Sequence, residues 1–535
     1  MDSNAKRVSS DTKLNMAYKG PYGFSGGLNT KESSWTLPQN CLTAAQNVNI
    51  VNNDLVKRNG SVLLPSAVLN SGAAVTGLTD WFLTGTHYLI AVVGNKIYES
   101  TTLSSTFTDK TGAATITAGA NNQHTFASLN NILAICGGTT PDTPLQWTGT
   151  GNVSALGGSP PIGNIVTVAN NYMFIAGVAA TPSRVFWSNA SDPNTWSAAS
   201  NVDFRPGDGD IVTNLITIGQ NLLIFKNRSI GMLYTQSNTV SGAVTLAPLT
   251  QIINGIGCCG AQAADVLPDG SVIFMGYNGH VYWLQGGTSL EDISDPPPTT
   301  STQVATSNIQ PTLNTINFSQ LPYCVVRTYP TKNEVWINVA TGSSTTNNMT
   351  FIYNYILGVW ESQFININAN VACTSVDSRA TPTYPIIMVT GDTSGNVYQQ
   401  DTGSSDATIA SPGAITGYGT ISAIFGADNT DYIPLSLVVP YETQTIGTMQ
   451  VGWGYDGLTN VSNTFIFSEI GTGAQLDVNF FLDVSAILSG PTTARKVVPI
   501  VGTGRSYSMQ IQFYDASSTN GFTIHPVVVS DEVIV

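Results

Sequence analysis

The chain has 535 residues, 42% of them hydrophobic, which is enough for several domains or for one large repeat array with an appendage. Only 10% of the residues are charged, and 33 acidic against 19 basic residues give a formal net charge of −14. A surface made mainly of Ser, Thr, Asn, Gln and Gly, with so few cations, argues against a high-affinity nucleic-acid binder and leans towards an all-β protein of extracellular or virion type.

The opening residues, MDSNAKRVSSDTKLNM, lack the apolar core of a signal peptide, and no run approaches the ~18 apolar residues of a membrane span. This is expected of a protein that leaves its cell by lysis, and equally of an ordinary intracellular one. Six widely spread cysteines (Cys41, Cys136, Cys258, Cys259, Cys324 and Cys373), with no CxxC pair, read as buried free thiols.

Residues 1–27 read as an arm, rich in charge at first and ending in Gly20, Gly23, Gly26 and Gly27. Residues 28–74 form a hairpin region leading into the main array. There, 42–48 predicts a short helical turn, and 48–51 with 55–57 predict a hairpin around Asn52-Asn53-Asp54.

From about residue 75 one unit recurs: an apolar run, a Gly/Asn turn, and a second run ending in an aromatic residue. The pairs are 88–93 with 96–98, 129–136 with 145–147, 172–176 with 185–187, 222–225 with 230–234, 272–275 with 280–284, 334–339 with 351–355, and 386–390 with 396–398. Units starting about 40 to 60 residues apart match four-stranded propeller blades better than helical repeats. The reading is a β-propeller over 75–411 with about seven blades, in a range of six to eight, its first and last blades completed by strands from opposite ends of the chain. A stack of β-sandwiches is the competing architecture.

Residues 289–321, with Pro296-Pro297-Pro298, read as an insertion on one rim, in which Ile309, Leu313, Ile316 and Phe318 line one face of a short helix. From 412 to 535 the pattern becomes strict alternation: Met449, Val451, Trp453 and Tyr455, then Met509, Ile511 and Phe513, then Phe522, Ile524 and Pro526. Period-two alternation predicts a C-terminal antiparallel β-sandwich.

Few motifs carry chemistry. Gly255-Ile256-Gly257-Cys258-Cys259-Gly260 matches G-x-G-x-x-G, but Pro268-Asp269-Gly270 follows soon and no βαβ unit surrounds it, so the glycines read as turn residues. Asp203, Asp208 and Asp210 lie close together in VDFRPGDGD, where a bound hard cation and a tight Asp/Gly turn both fit; without EF-hand spacing, the turn is the better reading. His87, His124, His280 and His525 are too scattered for a metal set, no G-x-S-x-G elbow is present, and no carboxylate pair stands out. Trp147, Trp187, Trp196, Trp283, Trp336 and Trp360 read as inter-blade core rather than a sugar platform. The expectation is a non-enzyme without cofactor or metal.

Several stretches resemble tail proteins of short-tailed bacteriophages, known as tail nozzle, tail hub or packaged-DNA stabilisation proteins. They are GGLNT at 26–30, LPQNCLTAAQNVNI at 37–50, LVKRNG at 55–60 with Arg58 and Gly60, and WSNASDPNTW at 187–196 with Trp187, Asp192, Pro193 and Trp196. They continue with GDGDIVTNLITIGQNLLIFKNRSI at 207–230, with Gly207, Asp208, Asp210, Phe225 and Lys226, and with VPIVGTGRSYSMQIQF at 498–513. The resemblance implies a propeller protein forming a homo-hexameric ring below the portal and the head-to-tail adaptor, in contact with tail fibres or a tail needle. Such a ring, assembled in the host bacterial cytoplasm and carried in the virion tail, retains the packaged genomic DNA and conducts it during ejection without specific binding. No catalytic residues come with the resemblance. A lumen poor in Lys and Arg is expected, with Lys6, Arg7, Lys13 and Lys19 at a subunit or adaptor contact, because cations in the bore would drag on moving duplex. The competing function is a glycan-binding or glycan-cleaving, sialidase-like adhesin; the repeated Asp box of such enzymes, roughly S-x-D-x-G-x-x-W, has only one partial counterpart, SDPNTW at 191–196.

Overall fold

A computed structural model describes residues 16–101, 103–237, 244–246, 250–297, 307–380, 383, 385–407, 413–425, 433–442, 446–455, 463–470, 493–500, 508–517 and 521–532. Its first blade runs from the ring centre outward as Val75–Leu83, Thr86–Val93, Lys96–Thr101 and Thr108–Asp109. The second is His124–Leu129, Ile132–Gly137, Leu145–Trp147 and Ser154–Ala155. The third is Ile165–Ala169, Tyr172–Ala176, Arg184–Asn189 and Asp192–Asp203. The fourth is Val212–Ile218, Asn221–Lys226, Ser229–Leu233 and Thr250–Asn254. The fifth is Ala264–Val266, Val272–Met275, Val281–Gln285 and Ser289–Asp292. The sixth, Val325–Tyr329, Glu334–Val339, Met349–Asn354 and Val359–Ile365, is one end of a larger sheet. The seventh takes Val371–Val376, Ile386–Gly391 and Val397–Gln400 from late in the chain and Ser61–Leu63 from early in it. The protein is therefore a β-propeller: six of the blades are self-contained four-stranded sheets, and the sixth position is filled by four strands of a shared sheet. The first strands of the seven touch in order, and the seventh returns to the first, so the ring is closed.

Turn chemistry sets the hairpins. Asn52-Asn53, Asn130-Asn131 and Asn170-Asn171 each occupy left-handed backbone at both positions of a two-residue turn, with φ between 45° and 71°. Two successive left-handed residues match the twist of the flanking strands, and Asn tolerates that region better than other side chains bearing a Cβ. Between blades the faces are filled by β-branched and aromatic side chains. Trp81 and Trp147 lie 5.4 Å apart between the first and second blades, and Phe225 and Phe274 lie 5.2 Å apart between the fourth and fifth. Truncating such a buried aromatic costs about 3–5 kcal/mol.

The outer strand of the sixth blade does not end the sheet. At Gln363 it pairs in parallel with Gln46 of Cys41–Gln46, and the sheet continues through Gly417–Ile421, Ser508–Asp515, Ile446–Tyr455 and Asn463–Ile470. A second sheet runs Met16–Tyr22, Val527–Glu532, Ile433–Glu442, Thr523–Ile524, Asp54–Lys57 and Val48–Val51, with Thr493–Pro499 also on Ile433–Glu442. Val451, Trp453, Ile511 and Phe513 from one sheet share a buried core with Leu55, Leu437, Ile524 and Val527 from the other. This is the sandwich that the alternating pattern predicts, with the alternate residues Gln510 and Gln512 only partly buried.

The pairing alters three local expectations. Strand Cys41–Gln46 replaces the helical turn predicted over 42–48, because strands on both sides offer it ladder partners. Residues 16–57 belong with the C-terminal strands, so divisions at 27/28 and at 412 separate strands that pair with one another. Ser289–Asp292 is the outer strand of the fifth blade rather than part of a rim insertion, and the helix after it is a single turn, Gln310–Leu313. Ile309, Leu313 and Ile316 are buried there while Phe318 is exposed. Lys6, Arg7 and Lys13 lie outside the described residues, and Lys19 sits in the strand Met16–Tyr22.

Candidate functional site

The loop from the third to the fourth blade carries the densest cluster of residues singled out in the sequence. Lys226 ends the second strand of the fourth blade with its side chain fully buried. Its Nζ donates to Asp208 Oδ1 at 2.8 Å, Ser183 Oγ at 2.9 Å and the Arg205 carbonyl at 3.1 Å, and stands 5.7 Å from the centre of the Phe204 ring. Burial works to raise the Asp208 carboxyl, but the Lys226 ammonium outweighs it and holds the group below the ordinary carboxylate range. Asp210 Oδ1 accepts from the Asn227 side chain at 2.8 Å and the Ile211 backbone at 2.9 Å, and its Oδ2 accepts from the Arg228 backbone at 2.9 Å. Gly207 turns the loop with φ 82°. Asp203 points to a different partner, the Arg184 guanidinium, which grips it twice at 2.7 and 2.8 Å and lowers its pKa. The three aspartates therefore do not converge as cation ligands; they tie a turn to the blade behind it. Among the described residues no group of three or more His, Cys, Asp or Glu side chains is placed to hold a metal ion.

The tryptophan motif is also a tie. Asp192 Oδ1 accepts from the Asn194 backbone at 3.0 Å and its Oδ2 from Thr195 Oγ1 at 2.6 Å. The Pro193 carbonyl accepts from Trp196 Nε1 at 2.8 Å, and Asn194 Oδ1 accepts from the Gly157 backbone, which fixes the segment arriving from the second blade. Trp187 packs 6.3 Å from Phe174 within the third blade. The glycines of 255–260 do not form a dinucleotide cradle: a Cβ on Gly257 would come within 2.0 Å of the Lys226 carbonyl and one on Gly260 within 2.0 Å of the Pro322 carbonyl, and the strand Ala264–Val266 follows where such a motif needs a helix.

Arg58 and Gly60 form a clasp where the N-terminal segment passes from sandwich to propeller. The buried Arg58 donates to both carboxylate oxygens of Asp406, at 2.8 and 2.6 Å, and to Asn47 Oδ1 and the Ile365 carbonyl. Its guanidinium lies 5.4 Å from the Phe364 ring centre. Gly60 passes so close to Ser405 that a Cβ would lie 2.0 Å from its carbonyl oxygen. Beside it Lys57, also buried, pairs with Asp515 and donates to the Ser517 carbonyl at 2.8 Å.

One cluster was not singled out in the sequence. Glu334 and Glu361, on the second and fourth strands of the sixth blade, are both buried and share one amide: Asn49 Nδ2 donates to Glu334 Oε1 at 2.7 Å and to Glu361 Oε2 at 3.0 Å. Trp336 Nε1 donates to Glu334 Oε2 and Asn354 Nδ2 to Glu361 Oε1. Burial first, and then the neighbouring Glu361 charge, push the Glu334 pKa up to about 8. The available signal was a carboxylate inside the apolar run VWESQF, where an unpaired charge is costly. A cavity of 370 Å³ adjoins the pair, lined by Val51, Asn52, Lys332, Ile356 and Leu357 among others. Every carboxyl oxygen of the pair is already a hydrogen-bond acceptor from a side chain, so the arrangement joins blade to sandwich hairpin rather than presenting two free acids to a substrate.

No family model matches the chain, and no curated protein matches it. Among solved structures it is similar to the β-propeller domain of Cps50 (Swd1) from Myceliophteria thermophila, at 10% identity and a TM-score of 0.37 over 64% of this chain and 99% of that one. It is similar to BamB from Moraxella catarrhalis at 11% identity and a TM-score of 0.31, over 68% and 96%. An exo-beta-1,3-galactanase from Phanerochaete chrysosporium matches at 8% identity and a TM-score of 0.26, over 88% and 100%. Likeness at this level concerns the fold alone, and the strand order above carries the fold assignment. Among the described residues no helix is long and apolar enough to cross a membrane.

Proposed function

We propose that this chain is a structural subunit of a short-tailed bacteriophage tail, a nozzle or hub protein that forms a homo-hexameric ring below the portal and adaptor and passes the genome during ejection. The observation that carries the reading is mechanical. Of the residues on which the resemblance rests, Asp208, Asp210 and Lys226 tie the loop after the third blade to the fourth, Arg58 and Gly60 join propeller to sandwich, and Trp187, Asp192, Pro193 and Trp196 brace the third blade internally. A conduit exposed to the pressure of packaged DNA requires that kind of bracing, and an acidic chain has little with which to retain phosphates. No catalytic role is part of the proposal.

Imaging of the particle that carries the protein tests it. Six-fold density on the tail axis is expected, and the purified ring should bind duplex DNA no tighter than the ~10⁻⁴ to 10⁻⁶ M of non-specific association at physiological salt. A single copy at a fibre tip would end the nozzle reading. Turnover of capsular or lipopolysaccharide glycans by the pure protein, abolished by Glu334→Gln or Glu361→Gln, would replace it with the glycan-cleaving one.

A further inference from the structure

A second cavity, of 420 Å³, opens where the third, fourth and fifth blades meet, lined by Arg205, Asp208, Asp210, Asn227, Arg228, Ser229, Asn254 and Tyr277 together with Gly209 and Gly255. Its carboxylates are already committed: Asp208 to Lys226 and to the Asp210 backbone, Asp210 to Asn227 and to the Arg228 backbone. Arg205 donates to Asn254 Oδ1 at 2.9 Å and keeps its Nε 3.7 Å from Asp208 Oδ2, on a backbone held at φ 46°. Arg228 is exposed, and its guanidinium has no partner among the described residues. With Lys226 beneath, three cations face two carboxylates, a local excess of positive charge on a chain of net −14. At the same wall Ser229, only 1% exposed, has a hydroxyl with no hydrogen-bond partner. A buried polar group left unpaired costs on the order of 1–3 kcal/mol, which a ligand atom would recover. Tyr277, half exposed, supplies an aromatic surface at the rim.

We propose that this cavity binds a small oxyanion, a carboxylate or phosphate, with Arg228 and Arg205 as its charge partners and the Ser229 hydroxyl as an added donor. Planar guanidinium forks suit such groups, and the volume accommodates the anion alone or on a single sugar ring stacked against Tyr277. The site is a property of one chain and does not depend on ring formation, so its failure leaves the tail assignment untouched.

Calorimetric titration of the full chain with inorganic phosphate, glucuronate, glucose 6-phosphate and glucose tests it. The charged probes should bind and glucose should not. Arg228→Gln, at an exposed position, should weaken binding about tenfold without lowering the melting temperature. Ser229→Ala should weaken binding while leaving the melting temperature equal or higher, a combination that a purely structural serine would not give. Lys96→Gln, the same charge change on the first blade, should leave binding unaltered. Phosphate binding as well as the sugar anions assigns the cavity to a free oxyanion, and a preference for the sugars assigns it to an acidic glycan; both uphold the site. Absence of binding by every charged probe, binding unchanged in Arg228→Gln, or glucose binding as tightly as glucuronate overturns it. Displacement of bound glucuronate by duplex DNA at physiological salt overturns it in favour of nucleic acid.

Discussion

The fourth and sixth blades both bury ionisable groups, and they resolve the problem in opposite ways. In the fourth, a single ammonium, Lys226, meets a carboxylate and two oxygen acceptors. In the sixth, two carboxyls meet each other across one amide, and the strain is relieved by keeping a proton. The first arrangement pairs opposite charges and acts as a fixed tie; the second makes the junction between blade and sandwich depend on pH. The clasp at Arg58 is of the first kind, placed at the second crossing between the two domains.

The largest expected effect breaks a matched pair outright. Arg58→Ala leaves Asp406 buried without its partner, and chemical denaturation should show a loss of about 3–5 kcal/mol. Arg58→Lys should recover little, because an ammonium cannot supply the two-pronged contact. Lys226→Ala comes next, with a loss of about 2–3 kcal/mol, softened because Asp208 retains some access to water. Adding Asp208→Asn to Lys226→Met should restore part of that loss; no recovery in the double variant would show that the lysine acts through packing alone.

The like-charged pair predicts a pH signature. Unfolded, Glu334 gives up its proton near the usual ~4.3; folded, it keeps it to about 8. The stabilisation from the protonated form is therefore complete below the ordinary carboxylate range and is lost as pH rises through about 8. Melting temperature should fall across that window, and Glu334→Gln, which cannot titrate, should flatten the fall while costing about 1–3 kcal/mol at low pH, because its amide NH2 would face the N–H of Asn49 or Trp336. A wild-type profile as flat as the variant's would show that the pair is not proton-linked. The smallest effect sharpens the baseline away from either charge system: Asn171→Ala, at φ 62° in a hairpin turn, should cost about 1 kcal/mol, whereas Asn171→Gly should be close to neutral.

That last position shows what was legible in the sequence. Paired asparagines between apolar runs announce two-residue turns, and the repetition of such units announces a ring of blades; both are local signals. The closure of the seventh blade by Ser61–Leu63 was legible only as a general habit of rings, because the partner lies more than three hundred positions away and short apolar runs do not name their neighbours. Cys41–Gln46 reads as a helical turn in isolation and becomes a strand because Gly417–Ile421 pairs with it. The ties at Lys226 and Trp196 were visible as motifs without their purpose. The Glu334–Glu361 pair and the cavity beside Ser229 were not visible, since each draws on separate strands or loops that only the fold brings together.

The early position of Ser61–Leu63 also bears on how the protein comes to be folded. This strand and the sandwich strands before it leave the ribosome hundreds of residues ahead of their partners, Val397–Gln400, Gly417–Ile421 and Val527–Glu532. Until those arrive, neither the ring nor the sandwich has its complete set of edges, and the waiting strands expose unpaired backbone. Blades one to five can assemble from local hairpins as they emerge, but the final step joins both ends of the chain at once. Folding should therefore finish in a late, cooperative closure, and chains stalled before residue 397 should be those that aggregate or recruit chaperones.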